Sequence, residues 1–260
     1  MQTRGLRAIG AGPTTDHKMA IFHLSVKCFS RSAGHSAVAA AAYRTGTRLC
    51  DERTGECHDY TRRSGVASCM LVLPPGAPNW SRSDLWNSAE AAENRRNSTV
   101  ARECEVALPV ELSRSQQSEL AEAFARWLVA RHGFAADVAI HADADDRVGE
   151  MSNDHAHIQT STRRLHAEGF GNKARELDAA ATGSKEIEAW RARWAAMTND
   201  ALERHGHQAR IDHRSHADRG MIAVPTIKIG RSAGARERRE HNQAAKQLNA
   251  EIADAIRDRA

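Results

Sequence analysis

Two stretches decide how the chain is read: Asp137-Val138-Ala139-Ile140-His141-Ala142 and, beyond a polar loop, Asn153-Asp154-His155-Ala156-His157-Ile158-Gln159-Thr160-Ser161-Thr162. Read as a strand, the first alternates, with Val138 and Ile140 on one face and Asp137, Ala139 and His141 on the other. In the second, His155, His157, Gln159 and Ser161 share a face opposite Ala156, Ile158, Thr160 and Thr162. The loop between them, Asp143 to Asp154, is rich in Asp, Gly, Asn and Ser, so the strands suit a long antiparallel hairpin. Paired in that way, three imidazoles converge on one polar sheet face. Imidazole is a common ligand of divalent transition metals, and three of them leave coordination positions open, as a catalytic site requires. The competing reading is three surface histidines in a chain that has 14. His-x-His alone is a weak signal, and the third histidine at the end of a neighbouring strand strengthens it.

Length and composition bound the rest. A chain of 260 residues can bury a sizeable core, and one domain with a C-terminal helical extension is expected. The net charge is +4, with arginine outnumbering lysine, which is compatible with nucleic acid and suits bidentate phosphate contacts. Five scattered cysteines, without a signal peptide, predict reduced thiols in a cytoplasm. No Cys-x-x-Cys supports a zinc ribbon, and no apolar run approaches the ~20 residues of a membrane span. The absence of a P-loop and of Gly-x-Gly-x-x-Gly argues against ATP hydrolysis.

Residues 1–18 read as a flexible extension. From Ala20 to Cys28, Phe22, Leu24, Val26 and Cys28 alternate with Ile21, His23, Ser25 and Lys27, as in a half-buried strand. Ala37 to Arg48 is an alanine-rich helix able to lie close to a sheet, and it carries Tyr43. That tyrosine is either a core residue with a buried hydroxyl or a nucleophile. Leu49 to Tyr60 turns at Arg53-Thr54-Gly55-Glu56 as a hairpin, and the basic cluster Tyr60-Thr61-Arg62-Arg63 follows. Tyr60 is a second, less favoured nucleophile. Ser68 to Leu73 reads as an apolar strand. Trp80 to Asn97 is a helix entered through Ser81 or Ser83.

The strand Val100 to Leu108 points Glu103 and Glu105 to one face, where they either meet solvent or support an imidazole or the tyrosine. A capping box, Ser113 with Gln116, opens a helix that runs to His132. Leu165 to Ala181 reads as irregular. Ser184 to His205 is an amphipathic helix whose Trp190 and Trp194 belong to a core stripe. Asp212 and His213 suit a turn, and the chain from Arg231 onward is charged and helical.

His141 with Asn153-Asp154-His155-Ala156-His157-Ile158 resembles the metal motif of HUH-type plasmid relaxases, in particular the MobA/MobL (MobQ) family. Ser32-x-Gly34-x-Ser36-Ala37 leading into Ala41-Ala42-Tyr43-Arg44 is similar to the family's nicking-tyrosine motif. Arg102-Glu103-x-Glu105-x-Ala107-Leu108-Pro109 and Ala209 to Ser215 are similar to two further family signatures. The resemblance runs from Met19 to about Gly230, with 231–260 as a helical linker or the start of a further region. It implies an α+β fold, a central antiparallel sheet backed by helices.

The resemblance also implies an activity: nicking one strand at a plasmid transfer origin, with Tyr43 as nucleophile. Glu105, and less so Glu103, would assist it, and His141, His155 and His157 would hold the cation. Mg²⁺ or Mn²⁺ suits phosphate chemistry, while three imidazoles also accept Zn²⁺ or other late metals. Lys27, Arg31, Arg44, Arg62, Arg63, Arg163 and Arg164 are the candidate contacts to single-stranded and hairpin DNA. Relaxosome accessory proteins, a type IV secretion coupling protein and a bacterial cytoplasmic location follow as expectations. The rivals are a rolling-circle replication initiator of the HUH class, disfavoured by a tyrosine upstream of the histidines, and a non-catalytic DNA-binding accessory protein with a structural metal. Asp154 stands where the family more commonly has proline, which removes a rigid turn and adds a carboxylate near the metal.

Overall fold

The structure, a computed structural model, describes residues 21–142, 153–215, 218–220, 224, 227 and 234–257. The expected extension 1–18 and most of the loop between the two histidine strands lie outside the described residues. The chain divides into two compact units, one ending at Asp212 and the other beginning at His213. The boundary expected near residue 230 therefore falls inside the second unit.

In the first unit, strands β1 (Leu24–Ser30), β4 (Val66–Val72), β5 (Thr99–Ala107), β6 (Phe134–His141), β7 (His155–His166) and β8 (Gly169–Lys173) form one sheet. Its order is β1-β5-β7-β6-β4, with β8 pairing on β7, and every pairing is antiparallel. A separate hairpin joins β2 (Arg48–Asp51) to β3 (Glu56–Asp59).

Alternation along the central strands divides the sheet into two unlike faces. Cys104, Val106, Val138, Ile140, Ala156 and Ile158 point to one of them. There α3 (Arg114–His132) and α4 (Ala180–Arg204) seal them with Leu120, Phe124, Leu128, Trp190, Trp194 and Leu202. Each such fully buried side chain contributes about 1.5–3 kcal/mol. The α3 helix starts at the expected capping box, Ser113 with Gln116, and stops at Gly133, whose φ of 70° suits a residue without a Cβ. The opposite face is shared. At one end α1 (Ala37–Thr45) and α2 (Arg82–Ala91) pack through Ala37, Val38, Ala41, Leu85 and Trp86, and at the other end lie the histidines and glutamates.

Several sequence expectations change. The helix carrying Tyr43 ends at Thr45, because Gly46 takes φ 62° and the chain turns into β2. The helix begun by Ser81 ends at Ala91. Leu165 to Ala181 is not irregular throughout: β7 extends to His166 and turns back as β8, and α4 begins at Ala180. Cys50 and Cys57 are joined as a disulfide, correcting the expectation of five free thiols; they sit directly opposite each other in the β2–β3 ladder. Only the register of that hairpin brings the two together.

In the second unit α5 (Ala235–Arg257) carries Asn242 and Asn249 one heptad apart. Each side-chain amide grips one residue's backbone at both its N–H and C=O, Asn242 holding Ile227 (2.7 and 2.7 Å) and Asn249 holding Val224 (2.7 and 3.0 Å).

A buried ion pair ties α2 to the sheet. Asp137 accepts from Arg82 Nε (2.7 Å) and Nη2 (3.0 Å) and from Trp86 Nε1 (2.9 Å). Burial pushes the Asp137 carboxyl up, and Arg82 and Trp86 oppose it. Replacing Arg82 by Ala should lower the urea midpoint by an amount equivalent to about 3 kcal/mol, since a buried charge loses its partner. The double variant Arg82→Ala/Asp137→Asn should recover part of that loss.

Candidate metal and tyrosine site

Strand register assembles the site. His141 on β6 lies directly opposite His155 on β7, and His157 on β7 lies opposite Glu105 on β5 and Ala139 on β6. The three rings meet with centroids 5.3 Å (His141–His155), 4.6 Å (His141–His157) and 4.9 Å (His155–His157) apart. One nitrogen from each lies within 4.8 Å of the others. The expected convergence on one face is therefore observed.

The second nitrogen of each ring has an oxygen partner. His141 Nε2 lies 2.7 Å from the Arg44 carbonyl, His155 Nδ1 2.5 Å from the Asn153 carbonyl, and His157 Nδ1 3.3 Å from Glu103 Oε1. For His141 and His155 a ring N–H donated outward leaves the other nitrogen with its lone pair inward, the pattern that supports metal-ligating histidines, and the Glu103 carboxylate lies beside the corresponding nitrogen of His157. Burial holds His141 down at about 4, opposed by the Arg44 carbonyl bond and aided by His157 and Arg63. Burial also lowers His155. Neutral imidazoles are the ligating form, so the donor set fits a divalent cation.

Glu103 is fully buried and central. Besides His157, it meets Arg44 and Lys27 (3.5 Å). Burial pushes its carboxyl up, but the contacts with His157 and Arg44 outweigh this and hold it at about 2. Glu105 lies directly opposite His157 and groups with it and Glu103, one ligand atom from each within 4.8 Å of the others, while it also pairs with Lys27 (2.8 Å) and His23 (3.6 Å). Asp154 places a carboxylate next to His155, as expected, and acts on that imidazole. Gln117 Nε2 lies 3.2 Å and Arg114 Nη1 3.7 Å from its carboxylate, which is thereby engaged at the start of α3.

Tyr43 is 44% exposed, so the core-tyrosine reading is set aside. Helix α1 is pinned across the sheet at both ends. Gln159 Nε2 donates to the Ala37 carbonyl (2.9 Å), and His141 donates to the carbonyl of Arg44, next to Tyr43. The Tyr43 ring lies edge-on to Tyr60 (5.2 Å) and under the Arg63 guanidinium (3.9 Å). Gln159 and His23 were given no role from sequence, although Gln159 shares the two-residue alternation of His155 and His157.

The basic candidates separate. Arg31 is held by Glu90, Arg44 by Glu103, Arg163 by Glu93 and Arg164 by Glu176. These four act as internal ties, a role that scanning for arginine does not reveal. Lys27 is paired but half exposed, Arg62 is exposed, and Arg63 lies beside Tyr43.

Residues 35–239 match the MobA/MobL family. The chain belongs to the MobA/MobL family. It is 45% identical over 85% of its length to "Mobilization protein MobL" of Acidithiobacillus ferridurans and 32% identical over 85% to "Probable mobilization protein MobA" of Bifidobacterium longum. It spans 65% and 45% of those two proteins, respectively. A solved structure described as "Molecular Basis of Vancomycin Resistance Transfer in Staphylococcus aureus" superposes with a TM-score of 0.66 at 30% identity, over 75% of this chain and 100% of that one. This likeness agrees with the expected α+β fold, a central antiparallel sheet backed by helices. Among the described residues no helix is long and apolar enough to cross a membrane.

Two outcomes are expected of this MobA/MobL site. His155→Ala or His157→Ala should weaken Mn²⁺ binding, read by calorimetry, by more than the ~10–100-fold typical of losing a supporting hydrogen bond. In metal-free protein, Glu103→Gln should be less stable than the parent at neutral pH. A carboxyl lowered from 4.5 to about 2 stabilises the fold above its unfolded value and ceases to as pH falls through the folded one, so the gap should close across that window.

Proposed function

We propose that this chain is a DNA relaxase that nicks one strand at a plasmid transfer origin. Tyr43 would be its nucleophile and His141, His155 and His157 its cation site. The observation that carries the reading is the placement of an exposed tyrosine one residue from the carbonyl that orients His141. A divalent cation held by the three imidazoles would bind the scissile phosphate and neutralise charge developing on it; Mg²⁺ or Mn²⁺ suits that task, and Zn²⁺ is compatible with the ligands.

The chain's own residues account for the rest. Tyr43 Oη attacks phosphorus, its bond to phosphorus forms as the P–O3′ bond breaks, and the phenol proton is released while the 3′ oxygen gains one. The products are a 5′-phosphotyrosine and a free 3′-OH. Because the new ester resembles the bond it replaced, the reverse attack by a 3′-OH rejoins the strand without ATP. Glu103 supports His157, and Glu105 with Lys27 completes the charged row beside it. Lys27, Arg62 and Arg63 are the proposed DNA contacts, for single-stranded and hairpin origin DNA. Relaxosome accessory proteins and a secretion coupling protein are the proposed partners.

The test is a denaturing gel for a covalent adduct with labelled single-stranded origin oligonucleotides, with Mn²⁺ or EDTA. Tyr43→Phe should abolish the adduct and retain DNA binding. Tyr60→Phe should leave the adduct intact, because it keeps the ring that meets Tyr43. An adduct lost only in the Tyr60 variant would reassign the nucleophile. DNA binding with no adduct at any origin or metal would favour the accessory-protein reading.

A further inference from the structure

Arg63 touches both halves of the site. Its guanidinium carbon lies 3.9 Å from the Tyr43 ring centroid, and its Nη2 lies 3.5 Å from His141 Nδ1. The loop that carries it is fixed on both sides. Tyr60 N–H donates to the Thr47 carbonyl (3.2 Å), Arg63 N–H to the Tyr60 carbonyl (2.9 Å), and Ala142 N–H to the Gly65 carbonyl (3.0 Å). Gly46 lets this loop lie close to the end of α1, since a Cβ there would meet Val66 at 3.3 Å and the Tyr60 and Arg63 carbonyls at 3.7 and 3.8 Å. The backbone therefore fixes where the Arg63 side chain starts, and its contacts with Tyr43 and His141 set where the guanidinium lies.

His141 Nε2 is committed to the Arg44 carbonyl, which leaves Nδ1 as the nitrogen with a lone pair. That is the atom Arg63 faces. A guanidinium and a divalent cation cannot both occupy this position, and as like charges they oppose one another. The Arg63 Nε–H is, moreover, a buried donor without an acceptor among the described residues, so the guanidinium is not fully satisfied where it stands and loses no such bond on moving.

We propose that Arg63 is a positioning residue that sets the Tyr43 ring by stacking and shares His141 Nδ1 with the metal. Loading the cation moves its guanidinium off His141 while it stays on the tyrosine, aimed at the phosphate. The half concerning strand transfer rests on the relaxase reading; the half concerning His141 does not.

Two measurements on Arg63→Ala and Arg63→Lys test this. In Mn²⁺ calorimetry, Arg63→Ala should bind several-fold more tightly than the parent, and Arg63→Lys should bind as the parent does, because it keeps the charge. In adduct formation both variants should slow, Arg63→Ala by about 10²-fold, the scale of a misplaced reacting group. An ammonium lacks the planar face that stacks on a ring, so Arg63→Lys should not restore the rate. A residue serving only the fold would weaken metal binding and rate together. Mn²⁺ affinity unchanged or weaker in Arg63→Ala overturns the His141 half, and an unchanged adduct rate overturns the stacking half. If the parent itself forms no adduct, the relaxase reading fails while the calorimetry still decides whether Arg63 competes for His141. Should Arg63→Ala not fold, Arg63→Gln removes the same charge with less loss of bulk.

Discussion

One buried carboxylate holds the site together. Glu103, on the central part of β5, is met by Lys27 from β1, Arg44 from α1 and His157 from β7. Burying a carboxylate is costly unless opposite charge and hydrogen bonds surround it, and here three different elements supply them. The consequence is geometric. Remove that charge and the helix bearing Tyr43, the edge strand and one imidazole lose a common tie. A cluster of neutral hydrogen bonds would satisfy the same atoms but would not draw two cations and an imidazole to one point on the sheet.

The same logic explains why so few of the chain's arginines face solvent near the site. Arg31, Arg44, Arg163 and Arg164 are each matched to a glutamate contributed by a distant segment. Such pairs fix segments relative to one another. Arg62 is exposed and Arg63 lies on the tyrosine, while Lys27 on the edge strand is half exposed although paired with Glu105. A small net charge of +4 is thus compatible with a focused basic surface, because neutralisation elsewhere leaves the local excess where the proposed strand would lie.

What could be read from sequence was what local chemistry writes. Period-two alternation placed His141, His155 and His157 on one face, and the capping box at Ser113 fixed the start of α3, because both depend on neighbours a few residues away. What stayed hidden depends on pairings that neighbouring residues do not announce. Arg163 and Arg164 read as a groove because nothing near them in sequence announces Glu93 or, beyond a hairpin, Glu176. Cys50 and Cys57 read as scattered thiols until the β2–β3 register set them opposite. Glu103 and Glu105 were indistinguishable by alternation, since they share a face. Lys27 meets both, and only the reach of Arg44 and the turn of the His157 ring single out Glu103.

The alanines of α1 carry the last step. Ala37, Ala41 and Ala42 are buried, and their small side chains let the helix backbone approach the sheet. Close approach is what allows backbone carbonyls, not side chains, to meet the sheet's polar groups: Ala37 at one end takes Gln159, and Arg44 at the other takes His141. A carbonyl has no rotamers, so the distance from His141 to the residue before Arg44 is set by the helix itself. Larger residues at those positions would lift α1 and replace that fixed link with a flexible one. The alanine run that marks the helix in sequence is therefore also what holds the proposed nucleophile beside the imidazoles.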